Sequence, residues 1–124
     1  MTRLATTLLL AGLLGTLSIA RAEDPAQIHD GVLIGPTRIM LYTFDKDMPG
    51  DGKSMCNGPC SENRPPFPAP AGAAPSGGFS VVTRDDGATQ WAYKGMPLYY
   101  RAKDKAPGDR TGDGVKGVWD VAAP

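Results

Sequence analysis

Leu41, Tyr42, Lys46, Asp47, Pro49, Gly50 and Asp51 recur as Leu98, Tyr99, Lys103, Asp104, Pro107, Gly108 and Asp109, with one residue inserted in the second copy. Order and spacing match together, so one strand end and one exit loop are used twice. Two copies are too few for a solenoid, in which each unit buries its apolar face against a neighbour on either side. The expected product is a single β domain whose halves are related by a pseudo-twofold axis.

The rest of the chain supplies strands and little else. Val32 to Phe44 is rich in β-branched and aromatic residues, with Ile39, Leu41 and Thr43 on one side and Met40, Tyr42 and Phe44 on the other. This predicts one strand covered on both faces. Phe79 to Lys94 contains two β-rich runs around Asp86-Gly87, a pair favoured in two-residue type I′ turns, and so predicts a hairpin. Its register would set Arg84 opposite Thr89, Val82 opposite Trp91 and Ser80 opposite Tyr93. Met96 to Tyr100 and Val115 to Val121 add two more strands. A single helical turn fits Gly58 to Asn63, because Pro59 suits a first turn and Pro65-Pro66 blocks continuation. Arg64 to Gly78 is Pro- and Gly-rich and reads as an irregular connector. Helical periodicity is absent after the leader described next. The fold class is therefore all-β, a small single domain of five to seven short antiparallel strands over residues 32–124 with a pseudo-twofold internal repeat.

Residues 1–22 combine Arg3, an apolar run from Leu4 to Ala20 and the small-x-small ending Ala20-Arg21-Ala22. That is the pattern of a secretory signal peptide cleaved after Ala22. The apolar run is broken by Thr6, Thr7, Gly12, Gly15, Thr16 and Ser18, which disfavours a membrane anchor. The new N-terminus, Glu23-Asp24-Pro25, carries no cysteine for a lipid, so no lipid anchor is expected. Residues 23–31, with His29, read as a flexible N-terminal arm. The expected location is periplasmic or extracellular. The whole chain balances 13 Lys and Arg against 13 Asp and Glu. Cleavage removes Arg3 and Arg21, leaving a slight acidic excess and no basic surplus for nucleic acid.

Cys56 and Cys60 are the only cysteines, and export to an oxidising compartment favours a disulfide staple between them. A redox role would need a low-pKa thiolate, which Lys53 and the turn at Pro59 offer to supply. Asp45, Asp47, Asp51, Asp104, Asp109 and Asp113 lie on Gly-rich loops and are the weak calcium candidates. Pro49 and Cys56 fall where an EF-hand would need ligands, and acids in such loops more often cap their own turns. Asp47 and Asp104 are accordingly expected to cap the Pro-Gly turn that follows each of them. Met40, Met48, Met55 and Met96 with His29 offer soft ligands for copper, although scattered Met is ordinary core filler. No Ser-His-Asp set or Gly-x-Ser-x-Gly elbow occurs, so no catalytic residues are assigned and an enzyme is not expected. No cofactor is expected either.

Tyr42 to Asp47 spells Tyr-x-Phe-x-x-Asp, followed by Gly-Lys-Ser-x-Cys-x-Gly-x-Cys at Gly52 to Cys60 and Phe-Ser-Val-Val-Thr-Arg-Asp-Asp-Gly from Phe79. This resembles the bacterial secreted repeats of unknown function, a family described as predicted lipoproteins with a Tyr-x-aromatic-x-x-Asp motif. The motif residues on that basis are Tyr42, Phe44, Asp47, Tyr99 and Asp104. The resemblance implies an extracytoplasmic all-β unit without an assigned activity. Three positions depart from the family pattern: Arg64 stands where Trp is usual, Arg101 replaces the second motif aromatic, and Asp120 follows Trp119 where His is common. The functional expectation is an exported non-enzymatic envelope module, binding or structural, with an unknown envelope or cell-surface partner. The alternative is an accessory protein in periplasmic electron transfer or metal handling.

Overall fold

The computed structural model describes residues 24–124, so the leader expected over residues 1–22 lies outside the described residues. Along them run β1 (Gln27–His29), β2 (Val32–Ile34), β3 (Tyr42–Phe44), α1 (Pro59–Asn63), β4 (Phe79–Thr83), β5 (Thr89–Tyr93), β6 (Met96–Pro97) and β7 (Trp119–Val121). A 3-10 turn at Val115–Gly117 precedes β7. The strands form three small antiparallel sheets, β1–β2, β3–β7 and β4–β5–β6. The all-β class therefore holds, and α1 is the single turn anticipated behind Pro59.

The two copies of the repeat meet at their tyrosines. Tyr42 N–H donates to the Tyr99 carbonyl at 2.7 Å, and Tyr99 N–H donates back to the Tyr42 carbonyl at 2.9 Å. Because this antiparallel pair joins the same motif residue from each copy, the pseudo-twofold axis passes between them. Successive side chains on a strand point to opposite faces. Leu41 and Leu98 enter one core with Leu33, Phe67, Phe79 and Trp91. Tyr42 and Tyr99 enter a second with Met40, Phe44, Cys56 and Trp119. β7 pairs with β3, setting Tyr42 opposite Val121 and Phe44 opposite Trp119.

Three local expectations are corrected. Residues 27–29 are not a loose arm: they pair with β2 through a two-residue turn in which Asp30 and Gly31 both take positive φ, 51° and 80°. This is the geometry of a type I′ turn, and Ala26 is buried beside it. Val32 to Phe44 is not one strand, because the chain reverses at Gly35–Ile39. Arg38 N–H bonds to the Gly35 carbonyl there, and Gly35 N–H bonds to that of Ile39. The β4–β5 hairpin is shifted by one residue from the expected register, pairing Val82 with Gln90 and Val81 with Trp91. Its loop is longer than two residues: Gly87 N–H bonds to Arg84 O, Arg84 N–H bonds to Ala88 O, and Gly87 sits at φ 85°. The extra residue is a bulge closing a type I turn, and a slip of one residue exchanges the faces of a strand. Gln90 consequently lies wholly inside.

The Pro-rich connector is more ordered than its composition implies. Pro66-Phe67-Pro68-Ala69-Pro70 runs beside β5 and β6, with Phe67 N–H donating to Leu98 O and Ala69 N–H to Thr89 O. Alternate residues of an edge strand face the sheet, so placing Pro at the others removes donors the ladder does not use.

Two glycines separate strain from collision. Gly87 and Gly95 both take positive φ, but a Cβ on Gly87 would meet nothing within 4 Å, whereas one on Gly95 would fall 2.6 Å from the Gly50 backbone nitrogen. Gly87→Ala is expected to cost about 1–2 kcal/mol for the left-handed backbone alone. Gly95→Ala adds a collision of about 1–3 kcal/mol. Urea melts that rank the two variants equally would overturn this assignment.

Candidate functional site

The second core is organised by two hydrogen bonds that cross between the copies. Tyr42 Oη donates to Asp104 Oδ2 at 2.5 Å, and Tyr99 Oη donates to Asp47 Oδ2 at 2.6 Å. The other carboxylate oxygen serves each copy's own loop. Asp47 Oδ1 accepts from Met55 N–H at 2.7 Å, and Asp104 Oδ1 accepts from Thr111 N–H at 3.1 Å and from the Thr111 hydroxyl. Asp47 and Asp104 are only 3% and 6% exposed. A carboxylate is buried without severe cost only when paired or hydrogen-bonded, which is what these contacts provide. Burial nevertheless pushes the Asp47 carboxyl up, opposed by the Tyr99 and Met55 hydrogen bonds and by nearby Arg84. Burial also pushes the Tyr42 phenol up to about 12, with the Asp104 bond acting in the same direction. Burial, then the Asp47 bond, raise Tyr99 likewise.

Each aspartate has a buried arginine nearby, and the two arginines differ. Arg84 Nη1 donates to Gln90 Oε1 at 2.7 Å and to Ser54 Oγ at 3.0 Å, while Nη2 donates to the Cys56 carbonyl at 2.6 Å and to Asn57 Oδ1 at 3.3 Å. Ser54 Oγ lies 2.6 Å from Tyr99 Oη, completing a network around Asp47. Arg64, beside Tyr42 and Asp104, stacks over Trp119 at 4.1 Å and reaches the Tyr42 ring at 5.0 Å. Its Nη2 donates to the Gly112 carbonyl at 3.1 Å, and its buried Nη1 has no hydrogen-bond partner among the described residues. Burial and the neighbouring Arg101 lower the Arg64 guanidinium to about 10, which leaves it charged at neutral pH.

The motif residues therefore converge. Phe44 stacks on Trp119 at 4.3 Å, and Trp119 meets Tyr99 edge-on at 5.2 Å. Cys56 and Cys60 are joined by a disulfide with a Cα–Cα distance of 5.2 Å. The capping expectation is corrected: neither Asp47 nor Asp104 caps its own Pro-Gly turn. Asp109 does so in the second copy, its Oδ2 accepting from Lys105 and Ala106 N–H at 2.9 and 3.0 Å.

The calcium candidates divide among separate tasks. Asp47 and Asp104 hold the tyrosines, Asp109 caps its loop, and Asp113 accepts from Val121 N–H. Asp45 lies beside exposed Asp120, whose carboxyl is pushed up by a side-chain hydrogen bond with Asp45, by slight desolvation, and by the charges of Asp45 and Asp113. Asp51 is exposed. Among the described residues no group of three or more His, Cys, Asp or Glu is arranged to hold an ion. Of the copper candidates, His29 and Met40 border one groove, whereas Met48 and Met55 are 65% and 61% exposed and do not line it. Met96 does not line it either.

Sequence reasoning missed Ser54, Arg64, Arg84 and Gln90 as a polar interior. Their only signal was position: Arg84 and Gln90 flank the turn whose register had to be known, and Arg64 immediately precedes Pro65-Pro66.

The site and fold together define a class: a duplicated, disulfide-stapled β domain whose halves are clasped by reciprocal tyrosine–aspartate bonds. The chain belongs to the family of secreted repeats of unknown function, which matches residues 32–67 and 80–123, one segment for each copy. No curated protein and no solved structure matches it. No helix among the described residues is long and apolar enough to cross a membrane.

Crossed bonding has a thermodynamic signature. Tyr99→Phe leaves Asp47 short of a donor and should cost about 1–3 kcal/mol. Double-mutant cycles should give coupling of about 1 kcal/mol or more for Tyr99 with Asp47 and for Tyr42 with Asp104. Stronger coupling between Tyr42 and Asp47, of the same copy, would contradict the crossing.

Alkaline pH is the second probe. Tyr42 and Tyr99 hold their protons more tightly folded than unfolded. The stability they contribute is complete below the ordinary tyrosine value of 10.0 and is lost as pH rises through the folded values, which for Tyr42 is about 12. Phenolate absorbance should lag until unfolding begins, and Tyr42→Phe should remove part of the alkaline loss of melting temperature. A melting temperature independent of pH above 10.0 would contradict it.

Proposed function

We propose that the chain is an exported, non-catalytic module of the cell envelope, with a binding or structural role toward an envelope or cell-surface partner in the periplasm or outside the cell. The observation that carries this reading is the commitment of the motif side chains to one another. Both tyrosine hydroxyls and both aspartate carboxylates are used in holding the copies together. A general base or nucleophile must reach a substrate proton or electrophile, and these groups are buried and already engaged. Membership in a family of secreted repeats supports export. The motif then acts as scaffold, and recognition falls to the loops and cavities around it.

Two measurements on the exported full chain test this. Purified protein should co-sediment saturably with isolated envelope material, and elemental analysis should find no stoichiometric metal. Absence of envelope retention together with stoichiometric copper, iron or haem would replace this reading with electron transfer or metal handling.

A further inference from the structure

The cavity between α1 and the 3-10 turn has an open volume of about 450 Å³ and is lined by Asn63, Arg64, Arg101, Lys103, Lys116 and Trp119 among others. Four of these side chains are cationic and no carboxylate lines the cavity. The whole chain has a formal net charge of zero, so this concentration is local rather than a consequence of basic composition. We propose that the cavity is a binding site for a phosphate-type oxyanion carried on a small organic body. The proposal deepens the reading of the chain as a binding module and names the ligand class of that role.

Three independent features support it. Arg64 is 4% exposed, yet its Nη1 donates to nothing among the described residues. The other buried arginine, Arg84, is fully engaged by Ser54, Cys56, Asn57 and Gln90. An orphaned buried donor leaves the guanidinium charge poorly compensated, and an oxyanion in the cavity beside it would supply the opposite charge. The backbone beneath also makes room for the guanidinium: a Cβ on Gly112 would fall 2.5 Å from Nη1. Finally, Lys116 sits exposed at the rim with φ 54°, a left-handed conformation unusual for a residue other than glycine.

The charge count selects the ligand. Even with Asp104 near Arg64 and one Arg101 donor engaged by the Thr111 carbonyl, two guanidinium and two ammonium groups exceed what one carboxylate neutralises and suit a doubly charged oxyanion. The volume fits a small ligand or the terminal group of a larger one. Arg64, which precedes the Pro-rich connector, and Arg101, which follows the second motif tyrosine by two residues, meet at this one cavity.

Titration calorimetry of the exported full chain at low ionic strength tests this with inorganic phosphate, glycerol phosphate and acetate. One saturable site is expected for phosphate or its ester, with acetate at least tenfold weaker. The Arg101→Ala/Lys116→Ala variant should bind at least tenfold more weakly. If that variant melts lower, Lys103→Ala/Lys116→Ala, at two exposed positions, should show the same loss. The tighter of inorganic phosphate and glycerol phosphate identifies a free ion or an esterified group as the source. No saturable binding, acetate binding as tightly, or undiminished binding in the folded variants would overturn the proposal. Envelope co-sedimentation measured on the same samples separates the two failures: if it persists, only the ligand class is lost.

Discussion

Two buried carboxylates, each held by a tyrosine from the other half of the chain, set the terms for the rest of the structure. A buried Asp47 without Tyr99, or Asp104 without Tyr42, would be a desolvated charge short of a donor, a far more damaging state than the loss of an ordinary hydrogen bond. Neither half can therefore satisfy its motif alone. The backbone pair between Tyr42 and Tyr99 brings the hydroxyls within reach of the opposite loops, and the loops are fixed in turn because Asp47 also binds Met55 and Asp104 also binds Thr111. Duplication thus produced one interdependent domain rather than two beads.

The symmetry of the clasp makes the asymmetry around it informative. Near Asp47, Arg84 is enclosed by serine, amide and carbonyl partners, and the disulfide between Cys56 and Cys60 fixes the loop that supplies several of them. Near Asp104, Arg64 lies against Trp119 and Tyr42, with Arg101 as a second cation nearby. One end of the pseudo-twofold is closed and the other opens on a basic cavity. Under the binding role proposed above, divergence of this kind lets one copy's environment serve stability while the other serves recognition.

Several elements are legible in the amino-acid sequence, and their physical basis is local. Alternation along an extended chain puts the Leu and Tyr of each repeated Leu-Tyr on opposite faces, with Leu41 and Leu98 in one core and Tyr42 and Tyr99 in the other, while each Lys-Asp falls in the loop that follows. The turn at Pro59 and the Cys56–Cys60 pair depend on residues a few positions apart. The hairpin at Phe79–Tyr93 was legible as a hairpin but not in register. Asp86-Gly87 is compatible with both a two-residue turn and a bulged one, and only burial of Gln90 and Arg84 against Ser54 and Leu98 distinguishes them. The pairing of residues 27–29 was invisible because all three side chains are exposed and only Ile28 among them is apolar, so the strand rests on backbone bonds rather than on an apolar pattern.

By itself, the sequence determined the all-β class, the duplication, the helical turn and the recurrence of the motif tyrosines and aspartates, since each follows from periodicity, proline geometry or spacing along the chain. Tertiary structure decided which residues those would touch. That Tyr42 serves Asp104 and not Asp47, that Arg84 is buried while Asp109 caps, and that Arg64 and Arg101 share one cavity all depend on how two halves separated by 57 positions in the chain (Tyr42 and Tyr99) pack together. The reason is physical: a buried charge takes its partner from whatever the fold places within hydrogen-bonding distance, and that distance is not written in sequence separation.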